Sequence, residues 1–240
     1  MTLQSYYLDW DSRFLGFPVG KILFTNFASF EELCALIQQS SFRLIYLYDL
    51  CRGILPEKIR EYNNFYQVDT KVTFEKKIEK VLESAYEPFV IQTYSYETIP
   101  QQLYELAILA GQYSRFLRDP KLGPSIQQAL YRRWLENSLQ GSYANQVWVA
   151  TYKTQIVGFC TLQVQENCAQ IGLIAVSPAY QKQGIGKKLL QTAENWCAQQ
   201  PHLTTLSVVT QQENLNACRL YEKYGFQLAS VVPIYHVWRY

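Results

Sequence analysis

The chain has 240 residues, enough for one large domain or two small ones, and a formal charge of only +2. Such a small charge, without a stripe of basic residues and interleaved aromatics, argues against a nucleic-acid partner. No apolar run approaches the roughly 20 residues that cross a bilayer, and the start lacks the regions of a signal peptide. We therefore expect a cytoplasmic protein without membrane insertion.

The six cysteines are scattered along the chain, with no C-x-x-C pair and no histidine at the spacing of a zinc partner. We interpret them as reduced thiols, most of them small core residues. The sequence predicts no metal site.

Residues 1–84 alternate between strand-like and helix-like segments. In chain order we predict strand-like segments within Tyr6 to Phe24, a helix from Phe30 to Gln39, a strand from Phe42 to Tyr48, a short helix from Pro56 to Tyr62 and a strand from Tyr66 to Ile78. No glycine-rich turn follows any of these strands. We expect a smaller N-terminal α/β domain without its own cofactor, joined to the rest near residues 79–87.

Residues 85–240 show a clearer pattern. In chain order we predict a strand from Phe89 to Tyr94, helices from Pro100 to Leu109 and Ser125 to Leu139, strands at Gln146 to Tyr152, Gln155 to Gln165 and Ala169 to Val176, an amphipathic helix that Pro201 stops, a strand from Leu203 to Thr210, a helix from Ala217 to Tyr224, and strands at Phe226 to Val232 and Ile234 to Tyr240. Lys153-Thr154 fits a hairpin turn, and Gly225 a left-handed helix cap. We expect this part to be the catalytic domain.

A glycine-rich turn, Gln181-Lys-Gln-Gly184-Ile-Gly186, joins a buried strand to the amphipathic helix. Its glycines let backbone approach a ligand closely, and the unpaired N–H groups and dipole at the helix start favour an anion. No third glycine follows, so the turn is not a Rossmann fingerprint. A P-loop is also excluded, because Gln181 replaces the first glycine of that motif and Lys188 its Ser or Thr.

The spacing Q-x-x-G-x-G resembles the acetyl-CoA pyrophosphate loop of the GNAT superfamily of N-acetyltransferases. A second segment from Asn214 to Phe226, with the pattern N-x-x-A-x-x-L-Y-x-x-x-G-F, is also typical of that family. The resemblance implies a GNAT fold, which is α/β with a mixed central sheet flanked by helices. It also implies acetyl-CoA as the cosubstrate.

The resemblance further implies which residues hold acetyl-CoA. Backbone groups of the glycine-loop strand would bind the pantetheine arm: Leu173, Ile174, Ala175 and Val176. The loop would hold the pyrophosphate: Gln181, Lys182, Gln183, Gly184, Ile185, Gly186 and Lys187. Asn214 would contact the arm or the pyrophosphate, whereas solvation is the alternative for Lys187.

Tyr221 is the expected catalytic residue, because the resemblance places it near the thioester sulfur. A tyrosine with a pKa of about 10 stays protonated at neutral pH and can donate a proton to the leaving thiolate. Tyr221 also belongs to an apolar stripe with Ala217, Leu220 and Tyr224, so core packing is the alternative. No side chain is identified as the base, and we interpret His202 and His236 as incidental.

Three segments are similar to the dTDP-fucosamine acetyltransferase family: Ser114-Arg115-Phe116, Tyr131 to Asn137, and Leu8 to Gly16. That family acetylates the 4-amino group of dTDP-4-amino-4,6-dideoxygalactose for bacterial surface polysaccharide. Its acceptor carries a pyrophosphate, and guanidinium groups bind phosphate oxygens in pairs. The candidate substrate-binding residues are Arg115 first, then Arg118 and Arg132, with Ser114 and Phe116 beside them.

Two other functions stay open. The acceptor could be a peptide amine, a lysine or a polyamine, although the excess of Arg and Lys over Asp and Glu from Tyr113 to Arg133 favours an anionic acceptor. The chain could also be a non-catalytic acyl-CoA-binding sensor, which the retained Tyr221 argues against. The sequence is compatible with a homodimer.

Overall fold

The computed structural model describes residues 3–25, 29–51, 55, 64–79, 88–95 and 97–239. The strands are β1 Ser5–Tyr7, β2 Val19–Phe24, β3 Leu44–Asp49, β4 Phe65–Lys77, β5 Val90–Thr93, β6 Gln146–Tyr152, β7 Gln155–Gln165, β8 Cys168–Val176, β9 Thr205–Gln211 and β10 Gln227–Trp238. The helices are α1 Asp9–Leu15, α2 Phe30–Gln39, α3 Gln101–Ala110, α4 Arg115–Arg118, α5 Gly123–Leu139, α6 Ile185–Cys197 and α7 Leu215–Lys223. The helix predicted at Pro56 to Tyr62 and residues 80–87 of the predicted joining segment lie outside the described residues.

All ten of these strands form one mixed sheet, in the order β1-β2-β3-β10-β4-β9-β8-β7-β6-β5. The pairs β2–β3 and β8–β9 are parallel, and the other pairs are antiparallel. Strand β4 lies between β9 and β10, although it comes from the first 84 residues. The predicted α/β class with a mixed sheet is confirmed, and a single sheet runs through both parts of the chain.

Helices cover both faces of the sheet. On one face, α1, α3, α4 and α5 pack over a cluster that includes Phe116, Phe159 and Leu173. On the opposite face, α6 and α7 cover a cluster that includes Phe74 and Leu189, and α2 covers a smaller one. Neighbouring residues of β8 and of β3 alternate between these clusters, as the pleat of a strand requires. The sheet therefore separates two sets of side chains that meet different helices.

Within Tyr6 to Phe24, β2 agrees with the prediction of strand-like segments, whereas helix α1 was not predicted. Asp9 and Asp11 lie in its first turn, where the helix dipole stabilises negative charge, and Gly16 ends it at φ 78°. The rings of Trp10 and Phe14 stack at 5.2 Å. Trp10 and Phe14 lie four residues apart, so they share one face of the helix.

Strand β10 corrects the prediction of two separate final strands. It runs unbroken through Pro233, which pairs with Thr70 of β4, while pairing with β3 begins only at Ile234. A proline is tolerated where one side of a strand is unpaired or where the ladder shifts. The ladder does shift next to it, between Ile234 and Tyr235.

We expect Phe74→Ala to destabilise the fold, because Phe74 of β4 is only 2% exposed and packs 5.8 Å from the Tyr221 ring. The free energy of unfolding, measured with chemical denaturant, should fall by about 3–5 kcal/mol. Glu75→Ala on the exposed position beside it is the control and should change that energy by less than about 0.5 kcal/mol. Equal small effects would contradict a central, packed β4.

Candidate active site

The glycine turn contains left-handed backbone conformations, which glycine adopts more easily than other residues. Lys182 and Gly184 have positive φ angles of 62° and 88°, and Gly184 immediately precedes α6. A Cβ placed on Gly184 would meet nothing within 4 Å, so conformation rather than space requires glycine here. The first N–H groups of α6 have no partner within the helix. The turn therefore presents donors and the positive end of a dipole to open space, as an anion cradle does.

The turn is held close to the end of β8 and to α7. The Gln181 side chain donates a hydrogen bond to the Val176 carbonyl at 3.0 Å. A Cβ on Gly186 would lie 3.2 Å from a methyl group of Leu220, so glycine lets the first turn of α6 pack closely against the second half of α7. Lys182, Gln183 and Lys187 are exposed, whereas Ile185 is buried in the core beneath the turn.

Strands β8 and β9 separate beside this turn. Their parallel pairing ends at Ile171 and Val208, while β9 continues along β4 as far as Gln211. A β-bulge gives β8 one extra residue between Ile171 and Ile174, and the Leu173 N–H there donates to the Thr161 hydroxyl at 2.8 Å. A gap therefore opens along residues 172–176, although the Leu173 N–H is already bonded within the bulge.

Asn214 and Tyr221 belong to α7, which follows β9. The side-chain carbonyl of Asn214 caps the helix by accepting from the Ala217 N–H at 3.3 Å, and the side-chain amide donates to the Thr210 hydroxyl. Tyr221 is 3% exposed, and its ring lies 5.9 Å from that of Phe226. Burial raises the pKa of Tyr221 above its usual value, so the hydroxyl is protonated at neutral pH. The position suits a proton donor and a core residue alike.

Three of the predicted substrate-binding residues have clear structural roles. The Ser114 hydroxyl caps α4 by accepting from the Phe116 N–H at 3.1 Å. The Phe116 side chain is 1% exposed and lies in the core, and the Arg132 guanidinium lies 4.9 Å from the Tyr104 ring of α3. These contacts stabilise the start of α4 and the packing of α5 against α3.

Arg115 and Arg118 differ in their partners. Arg118 forms a two-point ion pair with Glu213, with 2.7 Å between Nη1 and Oε1, which joins α4 to the turn after β9. The Arg115 guanidinium instead lies 4.8 Å from the Tyr46 ring, and its Nε is buried without a hydrogen bond to any described residue. Of these two arginines, Arg115 is the one with a buried donor left to offer a ligand.

His236, interpreted from the sequence as incidental, has a structural role that the sequence did not indicate. This side chain is fully buried, with its Nδ1 2.6 Å from Oδ2 of Asp119, and the Trp238 indole donates to the same oxygen at 2.9 Å. Burial lowers the pKa of His236 to about 4, so we assign a neutral imidazole that donates to the carboxylate at neutral pH. The pair joins the α4–α5 connection to the last strand. Spacing could have indicated only that His236 and Trp238 share one face of a strand.

Two carboxylates near Arg115, one buried and one half-buried, were also not identified from the sequence. Asp69 lies on β4 and is 4% exposed, and the Asp11 carboxylate of α1 accepts from the Tyr46 hydroxyl at 3.2 Å. Both act electrostatically on Arg115. Aspartate is unfavourable inside strands, so Asp69 within a predicted strand was a signal, although one without a partner to identify.

Residues 110–226 match the Acetyltransferase (GNAT) family, and this stretch contains β8, the glycine turn and Tyr221. The chain belongs to this family, whose members use acetyl-CoA. The resemblance inferred from the two motifs is thereby confirmed. Within the described ranges, no helix combines the length and apolar character of a membrane span, and no cluster of metal-ligating side chains occurs.

Two curated relatives are similar over part of the chain. The spore coat polysaccharide biosynthesis protein SpsD of Bacillus subtilis is 28% identical over 138 residues, which cover 58% of this chain and 47% of SpsD. The dTDP-fucosamine acetyltransferase of Escherichia coli is 34% identical over 136 residues, which cover 56% and 57% of the two chains. The chain therefore spans about half the length of each.

A solved structure confirms the fold over nearly the whole chain. A GCN5-related N-acetyltransferase from Sphaerobacter thermophilus superimposes with a TM-score of 0.60 and covers 98% of this chain and 76% of its own. The identity is 14%, so the likeness shows the fold alone. It agrees with the predicted GNAT architecture.

We expect Gly184→Ala to weaken acetyl-CoA binding, because a side chain at φ 88° forces the cradle out of shape. The dissociation constant, measured by calorimetry, should rise about tenfold, equivalent to about 1.4 kcal/mol. Gly141→Ala is the matched control, since Gly141 also has a positive φ, 78°, with open space around it. Both variants should lose stability, and equal affinities for acetyl-CoA would contradict the cradle.

Proposed function

We propose that this protein transfers the acetyl group of acetyl-CoA to the amino group of a nucleotide-linked amino sugar, of the dTDP-4-amino-4,6-dideoxygalactose type. One observation carries the choice of acceptor: Arg115 lies on the acceptor side with a buried, unpartnered Nε. Guanidinium is suited to a pyrophosphate. The similarity to dTDP-fucosamine acetyltransferase and to SpsD, named for polysaccharide biosynthesis, supports the same acceptor.

In this proposal the glycine turn and the gap between β8 and β9 bind different parts of acetyl-CoA. The N–H groups at the start of α6 bind the pyrophosphate, and the turn from Gln181 to Gly184 keeps side chains away from it. The backbone of Ile174 to Val176 bonds to the pantetheine arm in the gap between β8 and β9. Asn214 orients the start of α7, next to the arm.

The chemistry needs a proton at the leaving group. The lone pair of the neutral acceptor amine forms a bond to the thioester carbonyl carbon, the resulting oxyanion collapses, and the C–S bond breaks. Tyr221 donates its hydroxyl proton to the departing sulfur as general acid. Its burial keeps that proton in place at neutral pH.

A second candidate is an acetyltransferase of peptide amines, lysine or polyamines. The specific observation in its favour is the pair of carboxylates near Arg115, the buried Asp69 and the half-buried Asp11. Carboxylates bind cationic amines, whereas Arg115 binds anions. An amino sugar linked to a nucleotide carries both charges, which is why we favour it.

The division of the chain into a smaller N-terminal domain, residues 1–84, and a catalytic domain, residues 85–240, stays a prediction.

The deciding experiment is acetyl-CoA turnover, followed by thiol release, on dTDP-amino sugars, free amino sugars, peptides and polyamines. The proposal expects the highest kcat/KM with a dTDP-amino sugar, and a large loss when the nucleotide is removed. Activity on peptides or polyamines alone would identify the second candidate. Acetyl-CoA binding without thiol release for any amine would identify a non-catalytic sensor.

We expect Tyr221→Phe to lower kcat by about 10²- to 10⁴-fold, the range for loss of a general acid. The dissociation constant for acetyl-CoA should stay nearly unchanged, because the ring still packs between Phe74 and Phe226. Tyr224→Phe, three residues along α7, is the control and should leave kcat close to that of the unmodified protein. An unchanged kcat for Tyr221→Phe would show that Tyr221 is a core residue without a catalytic role.

A further inference from the structure

Asp69 is a buried carboxylate with unused hydrogen-bonding capacity. Its side chain is 4% exposed, and Oδ1 makes no hydrogen bond within the described part of the chain. Leaving a buried charged oxygen without a partner is costly for folding. A hydrogen-bond donor from a ligand would remove that cost.

The position of Asp69 in the sheet is next to the gap between β8 and β9. Strand β4 pairs with β9 up to Lys71 and Gln211, and the Gln212 N–H then donates to the Thr70 carbonyl at 2.9 Å. Asp69 is the next residue of β4 beyond this pairing, on the N-terminal side of Thr70. It therefore lies at the end of β9 at which β9 has already separated from β8.

Asp69 lies on the face of the sheet that α4 covers, which is the acceptor side in the proposed function. Val72 and Phe74 of β4 belong to the cluster under α6 and α7, whereas Asp69 faces the arginines of α4. The charged and titratable groups that act on it, or on which it acts, are Arg115 and Arg118 of α4, Lys71 of β4 and Tyr131 of α5, together with the Gln211 amide of β9.

We infer that Asp69 is the general base of the reaction, which binds the ammonium form of the acceptor and accepts one of its protons at Oδ1. This inference rests on the proposed acetyl transfer and adds the base that it lacks. Arg115, whose unpartnered Nε is also buried, binds the anionic part of the same acceptor. The two side chains thus select an acceptor with opposite charges at its two ends.

The proton balance is complete with these two residues. Asp69 takes a proton from the ammonium group, directly or through one water, and leaves a neutral amine. The amine lone pair forms the N–C bond, the C–S bond breaks, and the sulfur takes the proton of Tyr221. The second amine proton leaves as the amide forms and restores Tyr221 through solvent. Asp69 then releases its own proton to solvent, so each turnover yields one net proton.

The ionisation of Asp69 suits this role. Burial raises its pKa and the nearby Arg115 and Arg118 lower it, with a net value of about 6. The carboxylate form, which is the active base, therefore predominates above pH 6 and is lost as the pH falls through that value. A base whose pKa lies near the working pH is the most effective.

The test compares the pH dependence of kcat/KM for the unmodified protein and for Asp69→Asn, on the best amine of the acceptor panel. The unmodified protein should lose activity below about pH 6. Asp69→Asn should lower kcat/KM at neutral pH by about 10²- to 10⁴-fold, and the deficit should shrink as the pH approaches the pKa of the acceptor amine. This is because, without the base, only the fraction of the acceptor that is already a neutral amine can react.

Glu75→Gln, a carboxylate replacement at an exposed position of the same strand, is the matched control and should match the unmodified protein at every pH. The affinity for acetyl-CoA reports whether Asp69→Asn is folded. If this variant does not fold, the deciding measurement is the loss of kcat/KM of the unmodified protein at low pH, its acid limb. An Asp69→Asn variant within about threefold of the unmodified protein, or an acid limb at the amine's own pKa, would overturn the role of Asp69 and leave acetyl transfer intact. Failure of the unmodified protein to acetylate any amine would overturn both.

Discussion

The separation of β8 from β9 is the constraint on which the rest of the structure depends. Strand β9 has two neighbours, and it pairs with β4 over a longer stretch than with β8. Beyond Ile171 the backbone of β8 therefore lacks a partner on that side, and a bulge turns the strand further away. Unpaired backbone groups at a sheet gap need hydrogen bonds from elsewhere, which an extended ligand arm provides. The glycine turn, α6 and α7 are all placed by the strands that border this gap.

The acceptor side depends on charges held in a poorly solvated region. The Asp119–His236 pair attaches the α4–α5 connection to β10, and α4 in turn carries Arg115 over Tyr46. Buried polar groups are costly unless they are paired, and those that find internal partners specify one arrangement of the elements. Asp69 and Arg115 each keep one unpaired polar atom. The buried polar atoms without a partner among the described residues thus include Asp69 Oδ1 and Arg115 Nε, which we propose to meet the acceptor, and also His236 Nε2.

Much of the fold was predictable because the signals are local. Hydrophobic periodicity indicated the helix at Phe30 to Gln39 and both strands of the β6–β7 hairpin, with its turn at Lys153. The failures occurred where context changes the meaning of a residue. No helix was predicted where Trp10 and Phe14 pack on one face of α1, and the break predicted at Pro233 is absent because β10 has one unpaired side there.

The sequence by itself determined the family and the cofactor half of the candidate site. Glycines at fixed spacing after a buried strand describe a short continuous segment, and its conformation depends on those few residues. The sequence proposed Arg115 for the acceptor, but tertiary structure decided which groups surround it. His236 and Asp119 are 117 positions apart, and Asp69 acts electrostatically on Arg115 because β4 inserts between β9 and β10. Burial and the meeting of distant charges are products of the sheet order, which no local pattern contains.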